Sequence, residues 1–291
     1  MLRFFTVIIF ILRGIASGQN ASETIPWLAP ESSAVLVAAH RGGYETDKAD
    51  RAPENSVANV KVAIQKGYDV FETDIQRTAD GMFVIVHDAT IERELTGTGA
   101  ANTLTLAELK KLKKRYRDGS VSDEPIATLE ELLITGRGRI VFKPDLKPGV
   151  IEHFDDLARL IIRLGMKDQV LIRTPFKDAK VIQLHFLNGT PKVEVMFKLT
   201  NAKQVRQICS DFSPLTLEIK TAKGEVLSAE KRSAIEEAMK REVLVETHSY
   251  SDEVQWEALA KSGVRMFHTA SPAKTLRYLK ANGWRKNAVV E

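Results

Sequence analysis

The chain is organised by an alternation in which short apolar runs, rich in β-branched residues, are each followed by an amphipathic stretch of helical period. Strand-like runs cover 35–39, 69–74, 139–146, 170–173, 193–198, 216–219, 243–247 and 264–269. Helix-like stretches follow at 56–66, 129–135, 151–164, 176–187, 201–209, 229–240, 252–261 and 272–281. Alternation of this kind predicts a parallel sheet with crossover helices. So many units in roughly 250 residues favour an α/β fold of the closed (β/α)8 TIM barrel type over an open doubly wound sheet. The second unit is irregular. An extra β-like run at 83–87 precedes a long connection, 89–127, which is too long for a structureless loop and predicts a small insertion with its own structure.

In a barrel, catalytic side chains collect at the C-terminal strand ends on the inward face. Glu72 and Asp74 are two apart in a predicted strand and so share a face. Adjacent carboxylates repel unless a cation or proton intervenes, and oxygen-only ligands favour a hard divalent ion, Ca2+ or Mg2+. Asp145 and Lys147 form a second same-face pair in Lys143-Pro-Asp-Leu-Lys147, and Asp145 could complete a three-carboxylate metal site. Glu54 is a further candidate. The alternative is that these carboxylates only pair with neighbouring cations, Asp145 with Lys147 or Lys143. Three carboxylates and one divalent cation leave a net −1, which repels a phosphodiester; Arg41 and Lys147 would reverse that sign and donate to phosphoryl oxygens. His40 and His87 each end a strand-like run, and flanking a carboxylate pair they suit a general base and a general acid. His153, His185, His248 and His268 lack that setting, although His268 could line the site mouth.

The basic run Lys110-Lys-Leu-Lys-Lys-Arg-Tyr-Arg117 reads as a solvated helix face, or else as an attractor for phosphate substrates or an anionic membrane surface. No zinc-type Cys/His spacing, Walker-type loop or dinucleotide fingerprint occurs.

Taken together, Ala39-His-Arg-Gly-Gly43, Pro53-Glu-Asn-Ser56, Glu72-Thr-Asp74, Thr78-Ala-Asp-Gly81, His87-Asp-Ala-Thr90 and Glu92-Arg93 resemble the glycerophosphodiester phosphodiesterases. That family's (β/α)8 barrel is related to phosphatidylinositol-specific phospholipases, and the likeness covers most of the chain after residue 34. The resemblance implies that Glu72, Asp74 and Asp145 bind one divalent cation. It implies acid–base work for His40 and His87, phosphate binding by Arg41 and Lys147, and a place for Glu54 beside the metal and the substrate hydroxyls. It also implies cleavage through a cyclic phosphate to an alcohol and sn-glycerol 3-phosphate. Asp145 stands where many relatives have glutamate. Ala270, in Phe267-His-Thr-Ala-Ser-Pro272, replaces a family aspartate, and Glu246 stands where an asparagine is common; these last two are expected at the barrel mouth.

Residues 1–18 read as a signal peptide, with Arg3, an apolar stretch and then small residues, so export to a periplasm or the exterior is expected. Residues 19–33, with Pro26 and Pro30, read as an N-terminal arm, and 34–291 as the barrel domain. Without the signal the formal charge falls from +4 to +2, a mild bias that excludes a nucleic-acid signature. Cys209 is the sole cysteine, so no intramolecular disulfide forms, and its helical setting predicts a buried small hydrophobe. The expected partner is a small glycerophosphodiester, with a lysolipid as the alternative substrate and transient membrane-surface contact in that case. A catalytically silent ligand-binding barrel is the reading from a different class.

Overall fold

A computed structural model describes residues 34–43, 51–222, 225, 227–250 and 253–285. The expected signal peptide and N-terminal arm lie outside the described residues. Strands β1 (Leu36–Ala39), β2 (Val70–Arg77), β6 (Val141–Leu146), β7 (Leu171–Pro175), β8 (Glu194–Leu199), β9 (Thr216–Ile219), β10 (Leu244–His248) and β11 (Met266–Thr269) pair in parallel, and β1 pairs with both β2 and β11, closing the sheet into a barrel. The surrounding helices are α1 (Val57–Lys66), α3 (Leu129–Gly136), α4 (Phe154–Arg163), α5 (Ala179–Leu187), α6 (Ala202–Phe212), α7 (Ala229–Met239), α8 (Glu253–Lys261) and α9 (Pro272–Ala281). Caps set several helix starts: Ser56, Asn201 and Ser228 each accept a backbone N–H, and Thr128 with Glu131 forms a capping box.

Alternation along each strand divides the core in two. Outward residues such as Val37, Phe71, Phe142, Ile172 and Phe267 join the helices in one large apolar layer. Inward residues at the strand starts, Leu36, Val70, Val141, Leu171, Leu244 and Met266, make a separate apolar plug. Above that plug the inward positions turn charged. The β2–β6 register sets Glu72 beside Lys143 and Asp74 beside Asp145. Cys209 is only half-buried, on α6, and packs against the outer layer.

The long second connection holds β3 (Phe83–Ile85), antiparallel to the end of β2, then a one-turn helix α2 (Leu106–Leu109) and a hairpin of β4 (Lys113–Arg115) and β5 (Val121–Pro125). Val84, Val86, Ile91, Leu95, Ala101, Leu109 and Ile126 give it an apolar core of its own. The run 110–117 is not a helix face. The helix ends at Leu109 and the basic run enters β4, whose period of two sends Lys114 fully into the interior, 3.8 Å from Glu94. The local signal was Asp118-Gly119, a hairpin dipeptide: Gly119 has φ 85° and Tyr116 N donates to Ser120 O at 2.8 Å.

Leaving β1, the chain makes a 3-10 turn, His40–Gly42, against the ring of Phe71. A Cβ on Gly42 would stand 2.2 Å from that ring, at a φ of +82° that L side chains rarely adopt. Gly42→Ala is therefore expected to cost about 2–4 kcal/mol of stability, read as a lower urea midpoint with unchanged m-value. An unaltered midpoint would show that the turn and Phe71 are not locked together.

Candidate functional site

Glu72, Asp74 and Asp145 converge at the C-terminal mouth of β2 and β6. Each offers an oxygen, these oxygens lie within 4.8 Å of one another, and all three residues are buried. Thr73, pointing outward between them, donates to Asn55 Oδ1 at 2.9 Å, and Asn55 Nδ2 donates to Asp74 at 3.0 Å. Asn55 sits at φ 55°, so the Pro53–Ser56 segment bends sharply enough to brace Asp74 while Ser56 starts α1.

Ion pairs surround the triad. Lys147 Nζ is 2.8 Å from Asp74 and 3.5 Å from Asp145; Arg173 Nη1 and Lys198 Nζ are each 3.0 Å from Asp145. The pairing alternative thus holds for Lys147, whereas Lys143 turns to Glu246, bonding both its oxygens at 2.6 and 2.5 Å. Glu246 is therefore not at the barrel mouth. It is an inward residue of β10, fully buried, because its position in the strand sets its face. Arg173 binds Glu218 through two hydrogen bonds of 2.6 and 3.0 Å. Breaking one buried pair by removing a partner typically costs about 3–5 kcal/mol.

Among the described residues, the inward carboxylates Glu72, Asp74, Asp145, Glu218 and Glu246 are met by Lys143, Lys147, Arg173 and Lys198, and Arg41 Nε lies 3.6 Å from Asp74. Three carboxylates are crowded together at the triad. Burial, followed by the neighbouring charge of Glu72, pushes the Asp74 carboxyl up to about 6. Burial also opposes charge on Glu72, but His268, His40 and Arg173 hold it well below the usual carboxylate range. An all-oxygen donor set fits a hard divalent cation, which Glu72, Asp74 and Asp145 would hold.

His40 stands at the end of β1 on a strained turn. Arg41 has φ 52°, its N–H donates to Glu72 at 2.9 Å, and Asn59 Nδ2 donates to the carbonyls of Arg41 and Gly43 at 3.1 and 2.6 Å. Burial, against the charge of Glu72, lowers the His40 imidazole to about 4, so it is neutral near pH 7 and able to accept a proton. Its ring meets His268 edge-on at 4.9 Å and His248 at 5.6 Å between centroids. His268 is fully buried beneath His40 rather than lining the mouth, because its place in β11 faces inward.

On the other side, His87 Nδ1 lies 2.6 Å from Asp88 Oδ1, and Asp88 in turn pairs with Arg93. The Arg93 hydrogen bond, and after it His87, keeps the Asp88 carboxyl below its usual range despite some burial. The His87 backbone N–H donates to Glu94 at 2.9 Å. Glu54 is nearly fully buried among three arginines, with contacts of 2.9 Å to Arg41, 2.9 Å to Arg93 and 2.7 Å to Arg117. They hold its carboxyl down at about 2 against the effect of burial. Sequence reasoning missed Asn55, Arg117, Arg173, Lys198 and Glu218. Arg173, Lys198 and Glu218 carried a signal, since each is a charged residue inside a strand-like run.

A cavity of about 440 Å³ lies at the opposite, N-terminal end of β7 and β8, lined by Lys167, Phe186, Glu194 and Phe212 among others. It lacks the converging histidines and carboxylates of the mouth.

A sequence model of the glycerophosphoryl diester phosphodiesterase family matches residues 40–274. A glycerophosphodiester phosphodiesterase of Caldanaerobacter subterraneus subsp. tengcongensis is 31% identical over 163 residues, 53% of this chain and 65% of the relative. Human glycerophosphodiester phosphodiesterase 1 is 39% identical over 97 residues, 32% of this chain and 28% of that protein. The chain thus spans less than two thirds of the length of these curated relatives. Among solved structures, a Parabacteroides distasonis glycerophosphoryl diester phosphodiesterase superposes with TM-score 0.76 at 20% identity, covering 90% of this chain and 92% of the other. An Oleispira antarctica phosphodiesterase, solved with the product sn-glycerol-3-phosphate, gives TM-score 0.70 at 20% identity, covering 87% and 99%.

Below about pH 6 a cation entering the triad must displace the Asp74 proton. Its apparent affinity therefore rises as pH increases through about 6. In chelator-stripped protein, Ca2+ or Mg2+ should raise the melting temperature more at about pH 7.5 than at about pH 5, and saturation at about 100 Kd corresponds to about 2.7 kcal/mol. Equal shifts at the two pH values, or a full shift in Asp74→Asn, would contradict this assignment.

Proposed function

This chain belongs to the glycerophosphoryl diester phosphodiesterase family, and from that membership and the site geometry we propose that it hydrolyses glycerophosphodiesters to an alcohol and sn-glycerol 3-phosphate. The observation that carries the proposal is the linkage through Glu72. The same carboxylate belongs to the oxygen triad and accepts the backbone N–H that follows His40, so base and cation ligands are held as one unit.

In this reading neutral His40 takes the proton of a glycerol hydroxyl as that oxygen attacks the neighbouring phosphorus. Arg41 and Lys147 hold the phosphoryl oxygens. His87, oriented by Asp88, protonates the departing alcohol. Water then opens the cyclic phosphate with the histidines in exchanged roles. A divalent cation at Glu72, Asp74 and Asp145 would stabilise the charge on the reacting oxygens as a Lewis acid. Attack from within the substrate makes proximity a contribution of several kcal/mol, on the order of 7–11 in well-oriented cases. The product bound in the Oleispira antarctica enzyme supports glycerol 3-phosphate as the retained fragment. The hairpin tip, Tyr116-Arg-Asp-Gly-Ser120, is charged and polar, which favours a water-soluble diester over a lipid. The apolar N-terminal stretch supports placing this activity outside the cytoplasm.

Glycerophosphocholine with Ca2+ or Mg2+ should yield glycerol 3-phosphate, and chelator should stop the release. His40→Ala and His87→Ala should each lower kcat/KM by about 10²–10⁴-fold. Turnover untouched by chelator would remove the cation from the mechanism. No turnover across glycerophosphodiesters and lysolipids would favour a silent barrel.

A further inference from the structure

Beneath the oxygen triad, on the other side of Glu72, lies a second donor set. His40, Glu72 and His268 each offer a ligand atom within 4.8 Å of the others. His268 is 1% exposed, and neither ring nitrogen makes a hydrogen bond. A buried imidazole with both nitrogens unsatisfied is rare and needs a physical reason. Its Nε2 stands 3.5 Å from Glu72 Oε2. That separation is long for a hydrogen bond, yet it matches two donors sharing one tetrahedral ion at about 2.0–2.2 Å each. Glu72 can serve both sets: Oε2 faces His268, while Oε1 faces Arg173, which also contacts Asp145. His248 closes the far side, its ring 4.7 Å from that of His268 and 5.6 Å from that of His40.

We propose that His40, Glu72 and His268 form a second metal site, selective for a borderline transition ion such as Zn2+ or Co2+, whose occupation switches the enzyme off. Imidazole nitrogen favours such ions, whereas the neighbouring all-oxygen set favours Ca2+ or Mg2+. The ion takes the lone pair with which His40 would accept the substrate proton. The inhibitory consequence rests on the reading of His40 as the base; the binding itself does not.

The test uses the full chain, stripped with chelator and then saturated with Mg2+. Co2+ should bind at one ion per chain, with the visible absorption of a nitrogen-ligated tetrahedral ion, and Zn2+ should displace it. His268→Ala and His268→Gln should weaken Co2+ binding at least tenfold. X-ray absorption of the Zn2+-loaded natural chain should show two imidazole ligands, which decides the matter even if both variants fail to fold. Oxygen-only ligation, or Co2+ displaced competitively by Mg2+, would overturn the site. Zn2+ should abolish glycerophosphodiester turnover without competing with Mg2+; full activity with the site loaded would overturn the inhibition. Absence of turnover in unloaded protein would count against the proposed reaction and leave the binding measurements to stand alone.

Discussion

Glu72 is almost completely buried, and the parts of the site are coupled through it. Its carboxylate accepts the backbone N–H of the strained turn after β1, lies near Arg173 and His268, and contributes an oxygen to the triad with Asp74 and Asp145. A charge buried this deeply is stable only where opposite charge and donors surround it. The turn after β1 and the charged layer above the apolar plug both help meet that requirement.

The interior is arranged around this condition. An apolar plug fills the strand starts, and immediately above it Lys143–Glu246 and Arg173–Glu218 pair across the barrel. Such pairs contribute little net stability, because desolvation offsets their attraction. Their consequence is electrostatic. They pair off below the mouth and leave the three crowded carboxylates of the triad above them, whose mutual repulsion a divalent cation would relieve. The shorter Asp145 fits the same scheme, since Arg173 approaches it from the adjoining strand β7 and Lys198 from β8, one strand further round.

The insertion is tied back to the barrel. Its own apolar core positions a hairpin whose Arg117 reaches back to Glu54, a residue 63 positions earlier. Together with Arg41 and Arg93 this arginine keeps Glu54 ionised and fixed beside the site. The basic run that reads as a surface feature is therefore partly buried structure, with Lys114 inside the insertion and the half-exposed Arg117 paired with Glu54.

The barrel was legible from local pattern because each strand run is buried on both faces and each helix is amphipathic, and both leave a period in the sequence. The triad was legible for the same reason: Glu72 and Asp74 share a face by period alone, and Asp145 ends the next barrel strand. His40, Arg41, His87 and Lys147 were visible as polar groups at strand ends. Pairings across the barrel left no such trace. Lys143 finds Glu246 at a separation of 103 residues, and Arg173 finds Glu218 at 45, because closure of the sheet, not proximity in the chain, selects the partner. The fully enclosed position of His268, and the way Glu72 joins the two donor sets, were likewise decided only when β11 came to lie beside β1.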